Sequence, residues 1–245
     1  MKNPKLKPLL SAIGYLLLVI ALCFSGSMIF HSLYYESIYV SGASMAPTLN
    51  GSDDEQSGAI VDFGIVDHHK AALDHIKRFD IVTTYYPEDY DLISGALKAG
   101  ARKKIKRVIA LPNETFKITM GQLEVFDGKE YKEIKQNFKT QPANYAGKDT
   151  IIDITLGEDE YWVLGDNRAN SKDCATTGMP IKKSNIYGLL VAIEGTGELY
   201  VKRFYCEECG KTYKGHNGMI CSECGGNINA EFDIKNKNYH WPKYY

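Results

Sequence analysis

An uncharged apolar run from about Leu9 to Phe30, preceded by Lys2, Lys5 and Lys7, constrains this chain more than any other feature. At about 1.5 Å per residue a helix of that length spans roughly 30 Å, the thickness of a bilayer's hydrocarbon core. No Lys or Arg follows until Lys70, whereas Glu36, Asp53, Asp54 and Glu55 do. That asymmetry predicts a single-pass anchor in the cell membrane, with a cytoplasmic N-terminus and everything after His31 on the outer face. The competing reading is a cleaved leader, because Ser25-Gly26-Ser27 offers small residues. Against it, the run exceeds the roughly 7–15 residues of a leader's apolar core and resumes at Met28-Ile29-Phe30.

The remainder of the 245 residues suffices for one domain of ordinary size and an attachment. A formal charge of -1 excludes a global basic field, and with it nucleic acid as the expected partner. Short strands are predicted at Glu36–Val40, Ala59–Phe63, Asp80–Tyr85, Lys104–Ala110, Thr115–Ile118, Gln122–Phe126, Tyr161–Leu164, Tyr187–Ile193 and Leu199–Phe204. Gly, Asn, Asp and Pro punctuate them, and Gly51 to Gly58 reads as an acidic loop. Helix is expected only at Asp67–Ile76 and Asp91–Gly100 in this body. The fold class is therefore mainly β and antiparallel. Composition changes again near Phe204, which suggests an anchor over residues 1–31, a main domain over 32–204 and a module over 205–245.

Three segments carry candidate chemistry. In Ser41-Gly42-Ala43-Ser44-Met45-Ala46-Pro47-Thr48-Leu49, a glycine-bearing turn can expose the Ser44 hydroxyl and aim its own N–H at a reacting carbonyl. By itself this is only a turn. In Lys104-Ile105-Lys106-Arg107-Val108-Ile109-Ala110, strand alternation puts Lys106 on one face with Lys104, Val108 and Ala110. A lysine serving as a base must be neutral, which requires its pKa to fall from about 10.4 to about 7–8. Burial is the available cause, aided by a like charge such as Lys104; the bland alternative is a solvated basic face. In Gly165-Asp166-Asn167-Arg168-Ala169-Asn170-Ser171-Lys172-Asp173, Arg168 and Asp173 are placed to pair, and Ser171 to orient an amine. A polar surface loop is the alternative there.

Taken in order, these segments resemble the signature boxes of type I signal peptidases. Ser44 to Leu49 matches the serine box, and Arg78-Phe79-Asp80-Ile81-Val82 resembles an Arg-Gly-Asp-Ile-Val box. Lys106 to Pro112, followed by Asn113-Glu114, resembles the lysine box, and Gly165 to Arg168 the Gly-Asp-Asn-Arg box, with Asn170, Ser171 and Asp173 in family positions. Gly121, Leu123, Gly128 and Glu133 also fall where the family has like residues, so the resemblance runs from about Tyr35 to Glu194. It implies a β-sheet peptidase fold and a serine endopeptidase that removes signal peptides from exported preproteins after small residues, with no catalytic cofactor. By matching positions, Ser44 is the nucleophile, Lys106 the general base and Ser171 the residue orienting its amine. Asp166 and an Arg168–Asp173 pair support the loop, Ser44 N–H donates to the oxyanion, and Ile81 and Val82 wall the substrate pocket. Preproteins, the lipid bilayer and the secretion machinery are the implied partners. Gly42 stands where some relatives have a serine as second oxyanion donor, Phe79 replaces a glycine, and Cys174-Ala175 replaces Ser-Arg.

The last segment holds Cys206-Glu207-Glu208-Cys209-Gly210 and Cys221-Ser222-Glu223-Cys224-Gly225. Two such knuckles match a tetrahedral Zn(II) site, with Cys206, Cys209, Cys221 and Cys224 as ligands in a small zinc ribbon. Two disulfides, which an external location permits, or a redox CxxC pair are the alternatives. His216 reads as a loop residue, and the tail Tyr239-His240-Trp241-Pro242-Lys243-Tyr244-Tyr245 suits either the lipid interface or packing on the body. Two other functions remain open at this level: a non-catalytic adaptor that binds partners through the ribbon, and a dedicated processor of one substrate such as a pilin.

Overall fold

The computed structural model describes residues 6–51, 58–91, 93–98, 101–119, 121–140, 152–213 and 220–245. Lys2, Lys5, the acidic residues at 53–55 and His216 lie outside the described residues. Two compact units divide between Glu36 and Ser37. In the first, α1 (Leu6–Tyr34) contains the stretch Ser11–Tyr34, long and apolar enough to cross a membrane, with none of its side chains buried.

The second unit is mainly antiparallel β, as the sequence predicts. In chain order its elements are β1 (Tyr35–Tyr39), β2 (Ile60–Asp67), α2 (Lys70–Leu73), β3 (Ile81–Thr84), β4 (Lys104–Ala110), β5 (Thr115–Thr119), β6 (Gln122–Phe126) and β7 (Tyr131–Ile134). Then come β8 (Ile152–Thr155), β9 (Glu160–Leu164), α3 (Cys174–Thr177), β10 (Ile181–Lys182), β11 (Ile186–Cys206), β12 (Thr212–Tyr213) and β13 (Ile228–Tyr244). The larger sheet runs β1-β2-β11-β3-β4-β9-β10, with β12 and β13 also on β11; the smaller runs β7-β6-β5-β8. One core cluster joins the two sheets through Trp162, Val82, Val108, Phe116 and Leu123. A second gathers Val40, Met45, Leu49, Ile81, Ile105 and Leu190. Met45 and Ile105 are the chain neighbours of Ser44 and Lys106. Fully burying a side chain the size of Met45 or Leu49 is worth about 1.5–3 kcal/mol, so both candidate residues sit on anchored backbone.

Several expectations need correction. The helix placed at Asp67–Ile76 shrinks to α2, because β2 continues through Asp67 and His69 Nδ1 caps the turn by accepting from Ala71 N–H. Among the described residues of 91–100 there is no helix. The Asp91 carboxylate accepts from Ile93 N–H, Ser94 N–H and the Ser94 hydroxyl, a local turn that competes with helix. The two strands expected at Tyr187–Ile193 and Leu199–Phe204 are one, β11. Gly195 lies inside it, where a Cβ would sit 2.2 Å from Asn238 O. β11 runs without a break across Phe204, and the aromatic tail forms the end of strand β13, which pairs with β11.

Candidate active site

β4 and the turn after β1 bring the two principal residues together: Lys106 Nζ lies 2.7 Å from Ser44 Oγ and 2.9 Å from Ile105 O. Lys106 is only 4% exposed. Burial drives its pKa down from the ordinary 10.5 to about 8; Asp173 opposes that shift and the Lys104 charge adds to it. The Ser44 turn holds itself by Ala46 N–H to Ala43 O and Thr48 N–H to Met45 O. Its Ala46–Pro47 bond is cis, and Gly42 has φ +81°. No hydrogen bond from Ser44 N–H is found among the described residues.

The loop after β9 clamps this turn from beneath. Asn167 N–H donates to Ser44 O at 3.0 Å, and Asn167 Nδ2 to Ala43 O at 3.1 Å. Gly165 is required by close approach, since a Cβ would lie 2.4 Å from Ser44 O and 2.3 Å from Ser171 Oγ. Asp166, wholly buried, accepts both Arg107 Nε (2.8 Å) and Arg107 Nη2 (2.6 Å), and Thr48 Oγ1 donates to it at 2.5 Å. This bidentate pair fastens the neighbour of Lys106 to the loop and to the serine turn at once. Asp173 caps α3 through Ala175 N–H and accepts from Gly165 N–H, while Arg168 donates to Gly165 O and to Gln136. Both therefore brace the loop through its backbone, not through the side-chain pair expected of them.

Ser171 departs from expectation. Its Oγ is buried and makes no hydrogen bond, to Lys106 or to any other described residue. Ile81 and Val82 are fully buried in the two core clusters. The cleft of about 300 Å³ beside Ser44 and Lys106 is instead lined by Ile38, Tyr39, Ser41, Thr83, Ile105 and the stretch Arg102–Lys104. Val82 points to the opposite face of β3 from Thr83, whereas Ile81 shares the Thr83 face but is covered by Met45, Leu49 and their neighbours. Sequence reasoning assigned no role to Arg107, Asn167 or Thr48. A polar residue within each box was the available signal, but only packing shows that the boxes touch.

Comparison with known proteins identifies the family. The family model described as signal peptidase, peptidase S26 matches residues 10–193. The chain belongs to the peptidase S26 signal peptidase family. Signal peptidase I U of Bacillus subtilis (strain 168) is 29% identical over 170 residues, covering 67% of this chain and 76% of its own. Signal peptidase I V of the same strain is 32% identical over 158 residues, covering 62% of this chain and 80% of its own. A crystal structure of a signal peptidase I from Enterococcus faecalis aligns over 47% of this chain and 97% of its own, with 23% identity and a TM-score of 0.33. As a member of this family the protein is a signal peptidase-type hydrolase.

Within this S26 protein, Phe79 adopts φ +75°, a left-handed backbone that bulky residues rarely hold. Compensating contacts surround it: its ring meets Phe138 at 5.1 Å, Arg107 Nη1 donates to its carbonyl, and the Arg107 guanidinium lies 4.0 Å over Phe138. Cys174 is buried and accepts from Val163 N–H at 3.3 Å, so it fills core space.

The cysteine segment lies beyond the stretch the family matches. The sulfurs of Cys206, Cys209, Cys221 and Cys224 lie within 4.8 Å of one another. Cys206–Cys224 and Cys209–Cys221 are separated by 3.4 and 3.6 Å, and none of the six cysteines is disulfide-bonded. Four sulfurs about 2.3 Å from one tetrahedral ion would be about 3.8 Å apart, so the set fits a metal with little rearrangement. Gly210 and Gly225, which end the two knuckles, have φ +73° and +77°. Tyr213 Oη lies 2.9 Å from Cys221 Sγ, a hydrogen bond that lowers that thiol to about 6.

Proposed function

We propose that this protein is a membrane-anchored serine endopeptidase that removes signal peptides from exported preproteins by a Ser44–Lys106 dyad. The observation that carries the reading is the buried amine of Lys106, 2.7 Å from the Ser44 hydroxyl. With its pKa near 8 a useful fraction of Lys106 is neutral at physiological pH. The neutral amine takes the Ser44 proton as Oγ bonds to the scissile carbonyl carbon, and the Ser44 N–H meets the oxygen as it becomes an oxyanion. Collapse breaks the C–N bond, and the Lys106 ammonium returns its proton to the leaving amine. Water, deprotonated by the regenerated amine, then releases the acyl group from Ser44.

Asp166, Arg168, Asp173 and Asn167 position the nucleophile by bracing the loop beneath it; Gly42 leaves the space above open. The cleft walls of Ile38, Thr83 and Ile105 suit small substrate side chains, since overfilling a shallow pocket costs about 1–3 kcal/mol. The α1 helix crosses the cell membrane with its N-terminus in the cytoplasm, so the peptidase unit works on the outer face, where tethering raises the local concentration of membrane-held substrate. The four cysteines hold Zn(II) in a structural role. The test is cleavage of a preprotein by the purified full chain: Ser44→Ala and Lys106→Ala should each reduce kcat by at least about 10⁴-fold. An active Lys106→Ala variant would remove the base assignment.

A further inference from the structure

Two walls of the cleft are held by the strand that leaves the cysteine cluster. Tyr39 Oη donates to Phe232 O at 2.8 Å, and Arg102 Nη2 to Ala230 O at 3.2 Å. Tyr39 and Arg102 both line the cleft that contains Ser44 and Lys106. Ala230 and Phe232 lie on β13, whose first residue, Ile228, is paired with Cys206, the last residue of β11. Ala230 is therefore two positions, about 7 Å, along the strand from a residue paired with a cysteine of the cluster.

The register of this end is not inherited from the main sheet. The β11–β13 ladder shifts register between Val201 and Arg203, so the pairs Phe204–Ala230 and Cys206–Ile228 lie on the cluster's side of the shift, while Phe232, paired with Val201, borders it from the other side. Locally, the buried apolar support is Cys206, Cys221 and Ile228, with Phe204 and Tyr213 against them. A core this small does not hold two strand ends unaided, and small modules of this kind need a staple.

We infer that a divalent metal bound by Cys206, Cys209, Cys221 and Cys224 fixes the start of β13 and, through the carbonyls of Ala230 and Phe232, positions Arg102 and Tyr39 on the substrate cleft. The metal centre is thus a distant positioning element for substrate binding. This rests on the peptidase reading for the cleft, and on the cysteine geometry for the metal. An ion that binds the ordered knuckles and not the frayed ones stabilises the ordered state by mass action.

The experiment uses the full chain in detergent micelles, stripped with a chelator and reloaded with Zn(II) or Co(II). One equivalent should bind, and amide hydrogen exchange should slow at 228–232 and also at 38–40 on loading. KM for a preprotein should fall about tenfold, the scale of one or two hydrogen bonds, with kcat moving less than about twofold. In Tyr39→Phe combined with Arg102→Ala, loading should still protect 228–232 but no longer shift KM. Unchanged exchange at 38–40, or a KM response that persists in the double variant, overturns the proposal. If loaded wild type cleaves nothing, the peptidase reading fails on its own, and exchange at 38–40 still decides the coupling. If stripping unfolds the knuckles, the loaded double variant decides instead: a KM unchanged from loaded wild type overturns the positioning role.

Discussion

Replacing Lys106 by methionine removes the buried amine while keeping an unbranched stem of similar length. A pKa depressed from 10.5 to about 8 corresponds to about 3 kcal/mol of penalty for holding the charged amine inside the fold. Between those two values the unfolded chain keeps a proton that the folded chain has released, so wild-type stability rises with pH across that window. Above 10.5 both states are neutral and the penalty is gone; below about 8 it is present in full. Lys106→Met should therefore be more stable than wild type at neutral pH, with an advantage that shrinks by about 3 kcal/mol as pH rises from about 8 to 10.5. Losing the bond to Ile105 O subtracts about 1 kcal/mol at every pH, which lowers the curve without changing its shape. Urea unfolding of both proteins in the same detergent, followed by the fluorescence of buried Trp162, measures the difference directly. A stability difference that stays flat from pH 7 to 10.5 would refute the buried-amine reasoning, and the base assignment would lose its physical support.

Two further outcomes follow from close contacts. Gly165→Ala would drive a Cβ to within 2.4 Å of Ser44 O, so the serine turn must shift; kcat on a preprotein should fall by about 10²-fold, and wild-type-like kinetics would show that the turn is not clamped there. At position 79 both Phe79→Ala and Phe79→Gly lose the contact with Phe138, but only glycine relieves the left-handed backbone. The glycine variant should be about 1–2 kcal/mol more stable than the alanine variant in urea unfolding, and equal stabilities would deny the strain.

Strand positions were legible where turn residues bound an apolar or β-branched run. β4 and β6 match their predicted limits, because Lys104–Ala110 and Gln122–Phe126 are flanked by Gly or Pro and rich in β-branched or apolar residues. β13 was missed although Ile228, Ala230, Phe232 and Ile234 alternate with polar residues; nearby glycines, cysteines and the aromatic end masked the period. The Asp91 turn was misread as helix because a side chain that captures its own backbone leaves no trace in apolar periodicity.

The order of the boxes, the apolar helix and the spacing of the cysteines are properties of the chain itself, set by local chemistry and by reach along the backbone. They determined the family, the mainly β class, and Ser44 and Lys106 as candidates. Which side chains meet was settled only by folding: that Arg107 grips Asp166, that Asn167 holds the Ser44 carbonyl, that Ser171 misses the amine, and that Thr83 rather than Val82 faces the cleft. These contacts join residues up to 124 positions apart, as for Asn167 and Ala43. A single residue of register reverses which face a strand presents, and nothing local to the sequence encodes that choice.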